Sequence, residues 1–212
     1  MAEENNTVTL SGQVITEPVL DHALYGEEFY RFSVNIPRLS GAADVLPVTV
    51  SDRLMFGRMP KPGDHITVRG QLRSYNKMVD GQSRLIITVF AKMFKYEEEC
   101  PEFVNDISLT GFICKPVIYR TTPFMREIAD ILVAVNRQYG KSDYLPCIAW
   151  GRNARFAGNL PIGEQVRVEG RIQSRQYQKA ISENESVERT AYEISCSVIE
   201  LVPRTDGDMP MQ

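Results

Sequence analysis

The chain has 212 residues, with 24 Lys and Arg against 27 Asp and Glu and a net charge of −3. That length accommodates two domains of about 100 residues, each able to bury its own core, and the charge excludes a simple polycation while leaving room for local basic stripes. No apolar run approaches the roughly 20 residues of a membrane span, and the polar, acidic opening Met1 to Thr7 lacks the apolar stretch of a secretory signal, so no membrane partner and a cytoplasmic location are expected.

In chain order, Thr7 to Ile15 alternates between apolar and polar residues, the period of a half-buried strand. Arg53 to Met59 is the one helical stretch of the first half, closed by a Pro62-Gly63 loop. Ile66 to Tyr75 and Leu85 to Met93 are strands, with Asp80-Gly81 as a hairpin signal between them. Glu97 to Glu102 is charged, contains Pro101, and marks a linker. Strand periodicity then resumes at Ile107 to Ile113 and again in Tyr144 to Trp150. Arg152 to Leu160 is helical and ends on Pro161-Ile162-Gly163, and Val166 to Tyr177 is a strand. Gln178 to Thr190 carries Glu183, Glu185 and Glu188 and predicts a mobile, finger-like loop. Tyr192 to Val202 is the last strand, and Pro203 to Gln212 predicts a disordered tail.

The second half repeats the first. Asn6-Thr7-Val8-Thr9-Leu10-Ser11-Gly12 returns as Asn105-Asp106-Ile107-Ser108-Leu109-Thr110-Gly111, and Leu46-Pro47-Val48 returns as Leu145-Pro146-Cys147. The stretch from Pro62-Gly63-Asp64 to Gly70 returns as Pro161 to Gly170. A period this long is a duplicated domain, since solenoid units are far shorter. Each copy reads strand, strand, strand, short helix, strand, strand. The expected fold is therefore all-β: two tandem OB-fold barrels of five strands, with a short helix between the third and fourth. The expected domains are 1–99, 100–203 and a tail over 204–212. Features the copies share point to scaffold, and features that differ point to function.

Catalysis finds little support. His22 and His65 lie apart from any nucleophile motif, and GxSxG, the P-loop and GxGxxG are all missing. Cys100, Cys114, Cys147 and Cys196 have no metal-site spacing. Neither a metal nor a cofactor is expected, and the chain is not expected to be an enzyme.

Binding finds more. In Tyr144 to Trp150, the small or apolar Leu145, Cys147 and Ala149 share one parity and suit a barrel interior. Tyr144, Pro146, Ile148 and Trp150, which is the sole tryptophan, then point outward. In the following strand Val166, Val168, Gly170, Ile172 and Ser174 take the interior, leaving Arg171, Arg175 and Tyr177 outside. Tyr139 sits at a hairpin beside Arg137 and Lys141. Basic residues interleaved with aromatics suit single-stranded nucleic acid, because every base has a π-face to stack and a phosphate to neutralise. At the places of Tyr139, Tyr144, Trp150 and Tyr177, the first copy has Ser40, Val45, Ser51 and Lys77. It keeps Arg69, Arg73 and Lys77 on the outward parity, so it contacts phosphates or serves as a dimerisation or partner-binding module.

Over most of 104–202 the second copy resembles the bacterial single-stranded DNA-binding protein family. The resemblance runs from Val104-Asn105-Asp106-Ile107 through Ile148-Ala149-Trp150-Gly151-Arg152-Asn153-Ala154 to Gly170-Arg171-Ile172-Gln173-Ser174-Arg175-Gln176-Tyr177. It implies base stacking at Tyr139, Tyr144, Trp150 and Tyr177, the positions that parity and charge select. It also implies single-stranded DNA as partner, a role in replication, recombination or repair, and a homodimer presenting four OB domains. The expected DNA-binding set is those four rings with Arg137, Arg152, Arg171, Arg175, Lys141, Arg73 and Lys77. The family's tail ends in an acidic tip with Pro-Phe that recruits replication and repair proteins. Here the end is Asp206-Gly207-Asp208-Met209-Pro210-Met211-Gln212, without the terminal Phe. The first copy, over about 5–98, is more distant and closer to relatives that assist primosome assembly. A protein-interaction or primosome-type adaptor and an RNA-binding OB protein are the alternative readings.

Overall fold

The computed structural model describes residues 4–79, 81–98, 102–180 and 186–203. Copy one consists of β1 (Asn6–Val14), β2 (Val19–Leu24), β3 (Glu27–Pro37), β4 (Ala43–Ser51), a 3-10 turn (Asp52–Met55), β5 (His65–Val79) and β6 (Gln82–Glu97). Copy two repeats the order as β7 (Val104–Ile113), β8 (Ile118–Thr121), β9 (Glu127–Asn136), β10 (Ser142–Trp150), α1 (Arg152–Ala157), β11 (Gln165–Ala180) and β12 (Ser186–Leu201), with a 3-10 turn at Gln138–Gly140. Each copy is an OB-fold barrel, and the protein is nearly all β.

Three details depart from the sequence reading. Among the described residues each copy has six strands, because the short β2 and β8 hairpin back onto β3 and β9. They lie at the two ends of the sheet order. Their residues are almost all exposed, so the alternation that marks a half-buried strand is missing from them. The helical segments are shorter than expected. In copy one a single 3-10 turn ends as Phe56 and Gly57 enter the left-handed region at φ 54° and 75°. In copy two α1 ends at Ala157, and the Gly158 N–H donates back to the Ala154 carbonyl. Finally, the expected loop over 178–190 is a hairpin: β11 and β12 stay paired out to Ala180 opposite Ser186. The segment is rich in polar and charged residues, which made it look like a loop. Residues 181–185 lie outside the described residues, as do Asp80 of the expected hairpin, Cys100 in the linker and the tail from 204 onward.

The repeated residues build the barrels. Leu10, Leu46, Ile66 and Leu72 in copy one, and Leu109, Leu145, Ile172 and Ile194 in copy two, are all fully buried. Burying each such side chain contributes about 1.5–3 kcal/mol. Gly12 and Gly111 sit where β1 and β7 close onto β3 and β9. A Cβ there would lie 2.6 Å from the Asn35 carbonyl oxygen or 2.5 Å from that of Ala134, so only glycine lets the barrel close. Asn6 and Asn105 act as a matched pair. The Asn6 amide donates to the Leu72 carbonyl at 2.8 Å and accepts from its N–H at 3.0 Å. Asn105 does the same with Ile172, at 2.7 and 2.9 Å.

The copies join through β1 and β7, which pair antiparallel from Asn6 opposite Leu109 to Ser11 opposite Val104. Val8 faces Ile107, its own counterpart in the repeat. A pseudo-two-fold axis therefore passes between them, and a sheet of twelve strands runs through both barrels.

Candidate nucleic-acid interface

Strand parity decides which side chains the second copy shows. Leu145, Cys147 and Ala149 are buried in β10, while Tyr144 is 48% and Trp150 40% exposed. Ile148 shares their parity yet is buried, because parity gives a side of the strand and not whether that side is covered. Pro146 is half-buried. On β11, Val166, Val168 and Ile172 are buried, and Tyr177 is 38% exposed. The side chain of Tyr139 lies outside the described residues; its backbone belongs to the 3-10 turn before β10.

Tyr144 and Trp150 sit at opposite ends of β10, about 20 Å apart at some 3.3 Å per residue. At the Trp150 end, exposed Arg152 opens α1. At the other end, the Tyr144 N–H donates to the Ser74 hydroxyl of copy one at 2.7 Å. Tyr177 lies beneath the Arg175 guanidinium, whose carbon is 5.8 Å from the ring centroid, near the outer limit for a cation–π contact. Arg175 also faces Glu193 at 3.6 Å. Lys77 and Lys141 are exposed.

The remaining three cations of the expected set have another occupation. Asp143, fully buried at the start of β10, accepts from Arg137 Nε at 2.6 Å and from Arg137 Nη2. It also accepts from Arg73 Nη1 at 3.1 Å and from the Ser74 N–H at 2.6 Å. Asp44 repeats this on the other side of the pseudo-axis. It accepts from Arg38 Nε at 2.7 Å and Nη2, from Arg171 Nη1 at 3.0 Å and from the Ser174 N–H at 2.9 Å. Ser174 Oγ accepts from the Val45 N–H at 3.0 Å, as Ser74 does from Tyr144. Arg73 and Arg171 thus tie one copy to the other through buried carboxylates. Arg137 braces Asp143 within copy two, and its Nη2 donates to the Ser74 carbonyl of copy one at 2.9 Å. Removing either carboxylate strands two cations, at a cost of about 3–5 kcal/mol.

Sequence reading missed Asp44, Asp143, Ser74 and Ser174. The signal was available: Arg38 and Asp44 recur as Arg137 and Asp143 at the spacing of the repeat, and what both copies keep is scaffold. In copy one, Ser51 stands in place of Trp150 and is buried, accepting from the Arg53 N–H at the head of the 3-10 turn. Lys77 takes the place of Tyr177.

Among the described residues, two clefts larger than 500 Å³ adjoin the junction. One, of about 900 Å³, is walled by Tyr75, Phe90 and Arg73 of copy one and by Asn136 to Gln138 of copy two. Its cations are engaged, Arg73 and Arg137 with Asp143 and Lys92 with Glu4 at 2.6 Å. The other, of about 540 Å³, includes Pro47, Pro146, Tyr177 and Arg189. Among the described residues no group of His, Cys, Asp and Glu is placed to hold a metal ion, and no helix is long and apolar enough to cross a membrane.

The chain is similar to known proteins in sequence over its second copy and in fold over both. Residues 104–202 match the model of the Single-strand binding protein family. Single-stranded DNA-binding protein 1 of Staphylococcus aureus is 34% identical over 82 residues, covering 35% of this chain and 49% of that protein. The protein of the same name from Streptococcus pyogenes is 30% identical over 82 residues, covering 35% of this chain and 63% of its own length. The chain therefore spans about half to three-fifths of the curated relatives it matches. A crystal structure of a deletion mutant of the single-stranded DNA binding protein from Thermus aquaticus superposes with a TM-score of 0.77 at 20% identity, covering 99% of this chain and all of that one. The likeness extends the shared fold across both copies. The chain is a protein of two OB domains, and the second is similar to the single-strand binding protein family over residues 104–202.

Proposed function

We propose that the protein binds single-stranded DNA with little sequence preference, and that copy two supplies most of the affinity. Tyr144, Trp150 and Tyr177 stack on bases together with Tyr139. Arg152, Arg175, Lys141 and Lys77 neutralise phosphates around them. The observation that carries this reading is the exposure of three rings along β10 and β11, within the segment that matches the family, at positions where copy one has Val45, Ser51 and Lys77. An exposed ring on a strand face gains by stacking on a base, at about 1–3 kcal/mol per base.

Arg73, Arg137 and Arg171 serve first as inter-copy ties, and any phosphate contact they make uses N–H groups the carboxylates leave over. Two chains present four OB domains as a homodimer, in the service of replication, recombination or repair. Recruitment of replication or repair proteins through copy one or the Asp206 to Gln212 tip belongs to the same proposal; that tip lies outside the described residues.

The test is fluorescence anisotropy of labelled oligo-dT with wild type and with Trp150→Ala combined with Tyr177→Ala. The double variant is expected to bind about 2–6 kcal/mol more weakly. Unchanged affinity would refute the stacking assignment. Tight binding of matched RNA with no preference for DNA would move the RNA-binding reading to first place, since the 2′-hydroxyl is where a protein tells the two apart.

A further inference from the structure

The smaller cleft lies on the pseudo-two-fold axis. Pro47 and Pro146, counterparts in the repeat, both line it, and so do matching stretches of β6 and β12. At the cleft, which Arg84, Tyr177 and Arg189 line, the hairpin register sets one pair of residues side by side in each copy. Lys77 faces Arg84 across β5 and β6, and Tyr177 faces Arg189 across β11 and β12. The Nε of Arg189 is buried and has no hydrogen-bond partner among the described residues. A buried guanidinium N–H without an acceptor is uncommon and calls for one. The volume, about 540 Å³, falls within the roughly 300–1,000 Å³ of ordinary ligand sites.

An anionic oxygen is the strongest acceptor for that donor. The cleft's neighbour, Tyr177, has already been assigned a base. A phosphodiester next to a stacked base is what a single nucleic-acid strand presents at this spacing, because base and phosphate belong to one nucleotide. The larger cleft offers no comparable donor, since its cations already hold Asp143 and Glu4.

We propose that this axial cleft is a crossing point, where a single strand stacked on Tyr177 of copy two sets a phosphate on Arg189 and passes over the axis towards Lys77 and Arg84 of copy one. The proposal rests on the single-strand reading and adds a site and a path to it. On this path copy one, without rings of its own at the four positions, holds the strand by charge.

The test is salt-dependent binding of a long oligo-dT to the full chain, with circular dichroism to confirm folding. Arg189→Gln is expected to weaken binding about five- to tenfold and to make the slope of log K against log salt shallower by about 0.7, one phosphate contact on a single strand. Thr190→Glu, an exposed neighbour on the cleft wall, provides a second variant should Arg189→Gln misfold, and is expected to weaken binding as well. Bound oligo-dT is further expected to protect Arg189 from phenylglyoxal, as mapped by mass spectrometry. Wild-type affinity and slope in the variants, with Arg189 modified equally with and without DNA, would overturn the crossing while the stacking reading stands. Failure of wild type to bind oligo-dT would overturn both.

Discussion

Copy one and copy two are built on the same frame and finished differently. The frame consists of the barrel glycines, the Asn6 and Asn105 clips, and the Asp44 and Asp143 hubs, each repeated in kind and in geometry. The finish is at the surface, where Tyr144, Trp150 and Tyr177 replace Val45, Ser51 and Lys77. It extends into the core, where Cys147 and Cys196 stand opposite the places of Val48 and Ala91. Duplication left the fold intact in both halves and set exposed rings at these three positions in copy two alone.

The ties between the copies also show a compensated swap. Copy one has Gln71 and Arg73 on alternate positions of β5, whereas copy two has Arg171 and Gln173 on β11. The arginine has moved by two residues, which keeps it on the same face of the strand. It still reaches the other copy's buried carboxylate, and in each case the glutamine side chain accepts from the arginine, at 3.3 Å in copy two.

The largest expected effect falls on that shared frame. Asp143→Ala and Asp44→Ala should each cost about 3–5 kcal/mol of stability, measured by urea unfolding, and the two losses should be similar. A large cost for one and none for the other would break the symmetry argued here. Gly170→Ala and Gly111→Ala come next. A Cβ on Gly170 would meet the Ser195 carbonyl oxygen at 2.1 Å and one on Gly111 the Ala134 oxygen at 2.5 Å, so strain of about 1–3 kcal/mol or more is expected. The midpoint of thermal unfolding reads it.

Exchanging the finish sharpens the comparison at smaller magnitude. Tyr177→Lys gives copy two the residue of copy one and should weaken oligo-dT binding by about 1–3 kcal/mol at moderate salt while steepening the salt dependence. If affinity rises instead, charge outweighs stacking at that position. The smallest effect is that of Arg152→Ala together with Arg175→Ala, which should make the salt slope shallower by about 1.4, two phosphate contacts on a single strand.

Much of this was legible in the chain. The repeat announced two domains. Parity in Tyr144 to Trp150 sorted Leu145, Cys147 and Ala149 inward and Tyr144 and Trp150 outward, as found. It misplaced Ile148, since coverage by other elements leaves no mark on local alternation. Edge strands β2 and β8 were invisible for a related reason: a strand exposed on both faces has no alternation to read. Arg137 and Arg171 looked like phosphate ligands because charge on an outward parity carries no record of a partner some 130 residues away or on another strand. Only the recurrence of Arg38 and Asp44 as Arg137 and Asp143 contained that information.

The central claim is that copy two stacks bases on exposed rings, and Trp150 gives it a direct reporter because the chain has one tryptophan. The decisive measurement is intrinsic fluorescence during titration of the full chain with oligo-dT. The account predicts strong, saturable quenching that reverses on adding salt. Unchanged tryptophan emission under conditions where a gel shift shows DNA bound would contradict it.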